Sequence, residues 1–479
     1  MRRCTLSILA GLFVVTLATA CKQQRAGSED RAAASMAPGT VTPPGAMEPT
    51  APRRVDSMAA VKPAVMGTQP VRPRPVASNG LRLGPIPADA DLGPEARRLF
   101  DALFCRGRKI DRPCTSLNEA VALYRKNYLA PMRAWLAKRM PQSLPMTLLY
   151  PFSGADLLSA LSVYPAQRQY VHLSLEHGGP PVSLAEMKPF VVSQARFKFT
   201  WMARLLLASG ESFSVDLQKQ EQAGLPGTLP LFLMGLYVHG GVVTGLSYLR
   251  VTPAGRLERY TRKELSATGP RARRHFFGWK NPRFSKRYSN LELRFRLPGE
   301  AQERSIIHIA ANLANKGLAA RPGVAKLLGS LGPKAVMIKA ASWLMWGNEF
   351  SRIRELIFHG TQFAITDVSA PYPAWLRKNG FKVETYGRFE CMPKKKMHVM
   401  SLGWRFKFRR PTSRALPFRY GYVDCKKHNH LVLLRRSPGA PALKPKIKPA
   451  IKPMAKSAIK PMAKPGTGPT PPIKPAIKH

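Results

Sequence analysis

Met146-Thr-Leu-Leu-Tyr150, Pro151-Phe-Ser-Gly-Ala-Asp156, Leu157-Leu-Ser-Ala-Leu-Ser-Val163 and Tyr170-Val-His-Leu-Ser-Leu-Glu176 follow one another along the chain, and their order decides the fold. The first is a short uncharged run, which reads as a buried strand. The second holds a glycine and reads as a turn. The third begins a helix, and the fourth is a second strand with an acid at its end. Strand, glycine turn, helix and strand make a βαβ unit, the building block of nucleotide-type folds. In a dinucleotide or methyl-donor site, the terminal acid would bind ribose hydroxyls. Only Gly154 sits in the turn, so there is no Gly-x-Gly-x-x-Gly fingerprint, and a scaffold without cofactor carries the same pattern.

A second unit of the same rhythm lies downstream. A strand is expected over 335–340, a Ser-containing turn at 342–346 and a helix over 349–359. A strand over 363–367 then ends in Asp367. Around these units the pattern predicts a helix over 116–140, capped by Ser116 with Glu119. It predicts a strand pair over 231–251, a half-exposed strand over 290–297, a strand over 305–311 and a helix over 324–331. A short helix over 373–378 and a strand over 381–389 complete the series. The fold class is therefore α/β, a Rossmann-like mixed sheet with two βαβ-type units. Its folded part spans 92–436, with 92–230 and 231–436 as candidate halves.

Both ends differ in kind. Residues 1–20 have a basic start and an apolar run over 6–18, the form of a secretory signal and too short to span well. Ala20-Cys21 resembles a bacterial lipobox, so Cys21 is the expected lipidation site and the membrane anchor. The alternative is a secreted protein. Residues 21–91 are rich in Ala, Pro, Met and Gly without periodicity and read as a disordered tether. A flexible coil of about 65 residues reaches roughly 45 Å. Residues 437–479 repeat Ala450-Ile-Lys-Pro-Met-Ala-Lys456 as Ala458-Ile-Lys-Pro-Met-Ala-Lys464. This Lys-Pro tail suits polyproline II and coil.

The chain has 479 residues, with 76 Lys plus Arg against 27 Asp plus Glu, a net charge of +49. The tail holds nine lysines and no acid, and the folded part holds 56 basic against 21 acidic side chains. Such an excess points to anionic partners. Export makes nucleic acid an unlikely partner and favours an anionic envelope polymer, peptidoglycan or lipopolysaccharide. The envelope supplies no ready ATP, NAD or S-adenosylmethionine, so no cofactor is expected.

The candidate pocket comprises Ser153, Gly154, Asp156, Glu176, Ser342 and Asp367, all at expected strand ends, where open α/β sheets place their crevice. A hydrolase would combine Ser153 or Ser342 with an acid and one of His172, His177, His308 and His359. No Gly-x-Ser-x-Gly elbow supports that. Lys339 precedes Ser342 by three residues, which on a strand points it to the opposite face. No His-Glu-x-x-His motif exists, and no metal site is expected. Cys105 and Cys114 are expected to pair locally, and Cys391 with Cys425 is the second candidate disulfide in an oxidising compartment. Residues 271–288 are densely basic and aromatic, and 403–414 alternate apolar with basic.

Tyr150-Pro-Phe-Ser-Gly-Ala-Asp156, Tyr170-Val-His-Leu-Ser-Leu-Glu176, Lys339-Ala-Ala-Ser-Trp-Leu-Met345, Phe350-Ser-Arg-Ile-Arg354, Thr366-Asp-Val-Ser369 and Leu416-Pro-Phe-Arg-Tyr-Gly-Tyr422 resemble a family of uncharacterised exported bacterial proteins, several of them predicted lipoproteins. The family has Asp-Asp-Ser-Gly-Ile-Pro-Tyr where this chain has Asp367-Val-Ser-Ala-Pro-Tyr372, so one acid and the glycine are missing. The resemblance implies the fold and the address, and no activity. The expected function is that of a lipid-anchored envelope protein binding anionic envelope material. The alternative is an exported hydrolase or transferase using the strand-end crevice.

Overall fold

The computed structural model describes residues 80–81, 83–104, 106, 111–209, 225–267, 285–339, 344–345, 347–367, 369, 371, 373–388, 414–420 and 429–440. Helices α1 (Gly93–Leu103), α2 (Arg112–Tyr124) and α3 (Ala130–Ala137) come first. Strand β1 (Thr147–Pro151), helix α4 (Leu157–Val163) and strand β2 (Gln169–Ser174) form the first βαβ unit. Helices α5 (Pro189–Ser209) and α6 (Leu229–Val238) follow. Next come β3 (Val242–Val251), β4 (Leu257–Arg259), α7 (Arg262–Ser266), β5 (Asn290–Arg296) and β6 (Arg304–Ala310). Helices α8 (Asn315–Ala320) and α9 (Pro322–Gly329) lead to β7 (Lys334–Ile338), α10 (Ser351–Phe358) and β8 (Thr361–Thr366). The chain then forms α11 (Pro373–Lys378), β9 (Phe381–Arg388) and β10 (Asn429–Arg436).

The ten strands form one mixed sheet in the order β4-β3-β5-β6-β2-β1-β7-β8-β10-β9. The five central strands, β6-β2-β1-β7-β8, are parallel. Antiparallel strands extend both edges. Strands from either side of residue 230 thus interleave in a single sheet. The strand order reverses between β1 and β7, so the loops after these two strands flank the topological switch point.

Alternate residues of each central strand enter opposite cores. Leu148, Tyr150, Tyr170, Met337 and Ile365 face one side, packed with Leu117, Leu157, Phe199 and Phe232 of α2 and α4–α6. Leu149, Val171, Val336, Ile338 and Ala364 face the other, packed with Leu318, Val324, Ile353 and Leu376 of α8–α11. Helices on both faces bury most residues of the parallel strands, which is why those strands are largely apolar runs.

Three expectations on local structure need correction. The helix expected to begin at Ser116 begins at Arg112, because Asp111 caps it by accepting from the Cys114 amide at 3.2 Å and Pro113 suits its first turn. Between α2 and α3 the backbone passes through a π-turn, Arg125–Leu129. Pro131, lacking an N–H, follows that turn and accounts for the wider turn before it. The strand pair expected over 231–251 is helix α6 followed by the single strand β3. α6 is buried nearly all round, so its sequence carries no periodicity to separate helix from strand. Strand β5 is mostly buried, not half-exposed, because β3 and β6 flank it and both faces are covered.

The connection leaving β2 crosses the approach to α6 with no room for a side chain. Gly179 and Gly227 have φ of +79° and +75°, and a Cβ on either would lie 2.2–2.3 Å from a carbonyl oxygen of the other segment. Gly227→Ala is expected to lower stability by more than about 2 kcal/mol, from left-handed strain plus the backbone collision. Urea unfolding checks this.

Candidate functional site

The β1 turn reaches the switch point in a strained form. Phe152 and Gly154 both have φ of 54°, and Phe152 is the one non-glycine with positive φ among the described residues. Its ring packs edge-on against Phe350, with centroids 5.8 Å apart. Beyond the turn, Asp156 caps α4, its Oδ1 accepting from the Ser159 amide at 3.0 Å. Its Oδ2 accepts from the Tyr150 hydroxyl at 2.9 Å and lies 3.3 Å from Lys339 Nζ. Lys339 also donates to Ser159 Oγ at 2.8 Å. The Asp156 and Lys339 side chains are only 6% and 3% exposed. A buried carboxylate with an ammonium, a phenol and an amide around it is a satisfied network.

Tyrosines line this network. Burial pushes the Tyr150 hydroxyl well above its usual range, and the charge of Asp156, neighbouring Tyr420, the hydrogen bond to Asp156 and the charge of Asp367 add to this. Burial does the same to Tyr420, reinforced by Asp367. Tyr128 is also raised, by burial first, with Lys339 opposing. Asp156 and Asp367 therefore act on the same phenols. Asp367 is fully buried, and its Oδ1 accepts from the Ser369 amide at 2.7 Å. Each of these two acids thus already binds inside the fold.

Of the pocket residues named from sequence, Ser153, Gly154, Asp156 and Asp367 gather at the ends of β1 and β8. Ser153 is buried, its hydroxyl within 3.4 Å of the Gly154 and Leu173 carbonyls. Glu176 stands two residues past β2, and its carbonyl accepts from His308 Nε2 at 2.9 Å. Ser342 lies outside the described residues, as do Cys21, Cys105, Cys391, Cys425, 271–284 and 403–413. Cys114 is disulfide-bonded, to a partner outside the described residues. Lys339, set aside in sequence for its spacing to Ser342, instead joins Asp156. Its signal was its place just past β7, directly beside β1.

His172 and His308 do not form a triad with Ser153 among the described residues. His172 and His308 pair in register on β2 and β6, both facing Phe232. Among the described residues no hydrogen bond links Ser153 to either. Burial, with His308 nearby, lowers His172 to about 3. Burial lowers His308 to about 4 against the raising effect of the Glu176 carbonyl. His239 falls to about 3, through burial and the Arg133 guanidinium, which lies 3.2 Å from Nδ1. Arg133 can only donate, so Nδ1 accepts and the ring proton sits on Nε2, beside Ser162. These are neutral core histidines. Among the described residues no cluster of His, Cys, Asp and Glu could hold a metal ion.

Comparison of the chain with family models, curated proteins and solved structures finds no match.

Two outcomes follow from this geometry. Asp156→Ala and Lys339→Ala are each expected to cost about 3–5 kcal/mol in urea unfolding, because each strands a buried charge. Asp156→Asn combined with Lys339→Met should lose much less than the sum of its single changes. The three histidines have folded values below the unfolded value of about 6.5. Their stabilisation is complete above that pH and is lost as pH falls toward 3–4. At pH 5 the loss is up to about 2 kcal/mol each. Urea midpoints at pH 7.5 and pH 5 should show a smaller drop for His172→Leu than for the parent.

Proposed function

We propose that this chain is an exported, lipid-anchored envelope protein that binds anionic envelope polymer through surplus positive charge and performs no catalysis at the strand ends. The observation that carries the reading is how the acids are used. Asp91 pairs with Arg294, Glu95 with Arg262, Asp111 with Arg196, Glu292 with Arg259 and Glu300 with Arg304. Glu258 and Glu264 share Arg250. With acids taken up locally in this way, the excess of 56 basic over 21 acidic side chains in 92–436 must be balanced from outside. Arg97, Lys126, Lys138, Arg168, Lys326 and Lys378 are exposed.

The internal commitments of Asp156 and Asp367 weigh against the enzymatic alternative, since neither is poised to meet a substrate. Cys21 supplies the anchor in this reading, and the Lys-Pro tail adds reach and nine charges. The polymer is peptidoglycan or lipopolysaccharide, both anionic.

The test is retention on peptidoglycan sacculi and on lipopolysaccharide. The full chain should bind at least one of them, more weakly as salt rises, and removal of 437–479 should weaken binding further. Retention on neither material would overturn the reading. Equal retention with and without the tail would remove the tail from it.

A further inference from the structure

Helix α5 has two apolar faces, one buried in the core and one exposed. Ala195, Phe199, Met202, Ala203, Leu206 and Leu207 are buried. Phe199 packs edge-on against Phe104 at 5.6 Å. Arg196 fixes the helix beside α2, pairing with Asp111 at 2.7 Å and donating to Cys114 Sγ at 2.9 Å. The helix is thus held as a platform.

The opposite face carries the largest exposed hydrophobic side chains in the described residues. Phe190 is 71% exposed, Phe197 68%, Trp201 44% and Leu205 41%. Phe197, Trp201 and Leu205 recur every four residues, so they form one stripe, and Phe190 lies two turns before Phe197 on the same side. Lys198 and Arg204 flank the stripe, one on each side by helical spacing, and Lys188 immediately precedes the helix. No Asp or Glu occurs in Pro189–Ser209.

We propose that this face of α5 seats on an anionic lipid bilayer, lying in the interface plane with its aromatic stripe among the upper acyl chains. The chemistry is that of an interfacial helix: Phe, Trp and Leu insert, Trp favours the headgroup boundary, and flanking Lys and Arg meet anionic headgroups. The helix lies on the surface and does not cross it, because no helix among the described residues is long and apolar enough to span. At 1.5 Å per residue it offers a contact about 30 Å long. Charge complementarity selects the bilayer over a second copy of the chain: two α5 faces brought together would oppose Lys and Arg with Lys and Arg. The inference extends the envelope reading from polymer to lipid and rests on it only for the membrane's presence. The stripe needs no lipid at Cys21.

The test uses the full chain carrying Cys21→Ala, so that no acyl chain contributes. It is co-sedimented with vesicles of equimolar phosphatidylglycerol and phosphatidylcholine, and with vesicles of phosphatidylcholine alone. Neither contains peptidoglycan or lipopolysaccharide, so this result stands apart from the polymer test. Binding to the anionic vesicles is expected, with little to the neutral ones. Phe197→Ser with Trp201→Ser should weaken it at least about tenfold. Lys198→Glu with Arg204→Glu should weaken it on anionic vesicles as well. These side chains are at the surface, so circular dichroism should show an unchanged fold. No binding by the parent, or equal binding by the serine variant, would overturn the proposal. A serine variant that converts a dimer to monomer with vesicle binding unchanged would also overturn it, and would assign the stripe to contact between copies.

Discussion

The Asp156–Lys339 pair is the interaction on which the centre of this molecule depends. It joins the loop after β1 to the end of β7 across the point where the parallel strand order reverses. In many doubly wound sheets that point is an open crevice. Here Asp156 caps α4, accepts from Tyr150 and meets Lys339, which in turn holds Ser159. Two charges taken from water at this depth must find one another and their remaining hydrogen bonds, or the sheet would carry an uncompensated charge. The strained Phe152 backbone, four residues earlier, is held from the other core, where its ring packs against Phe350.

The sheet centre was legible because its strands obey one rule. Parallel strands buried on both faces are short apolar runs, and the strands expected over 146–150, 170–176, 335–340 and 363–367 lie within a few residues of β1, β2, β7 and β8. α4 and α11 occupy the expected residues, because Asp156 and Pro373 mark their starts. α6 was not legible as a helix, since burial on every side erases the 3.6-residue period. β10 carries the apolar run Leu431-Val-Leu-Leu434, but its place between β8 and β9 is a tertiary fact. The site was half legible. Asp156 and Asp367 act on the same tyrosines, but Lys339 was judged by its sequence neighbour Ser342, whereas its partner comes from 183 residues away.

Charge and exposed apolar surface point the same way. Most of the surplus cations sit on the folded part. α5 sets its aromatic stripe between cations, so polymer binding and lipid contact would act on one anionic envelope. The tail and the tether would extend the reach of that contact. In that reading the sheet is the carrier, and Asp156 and Lys339 are buried at its centre.

The central claim is that the strand-end network holds the fold and binds nothing. The most direct measurement is the affinity of Asp156→Asn combined with Lys339→Met for lipopolysaccharide and for sacculi, with folding verified by urea unfolding. The account predicts a folded protein that binds whichever of the two materials the parent binds, with the parent's affinity. A folded variant with binding lost would contradict it, because the pair would then be part of a ligand site.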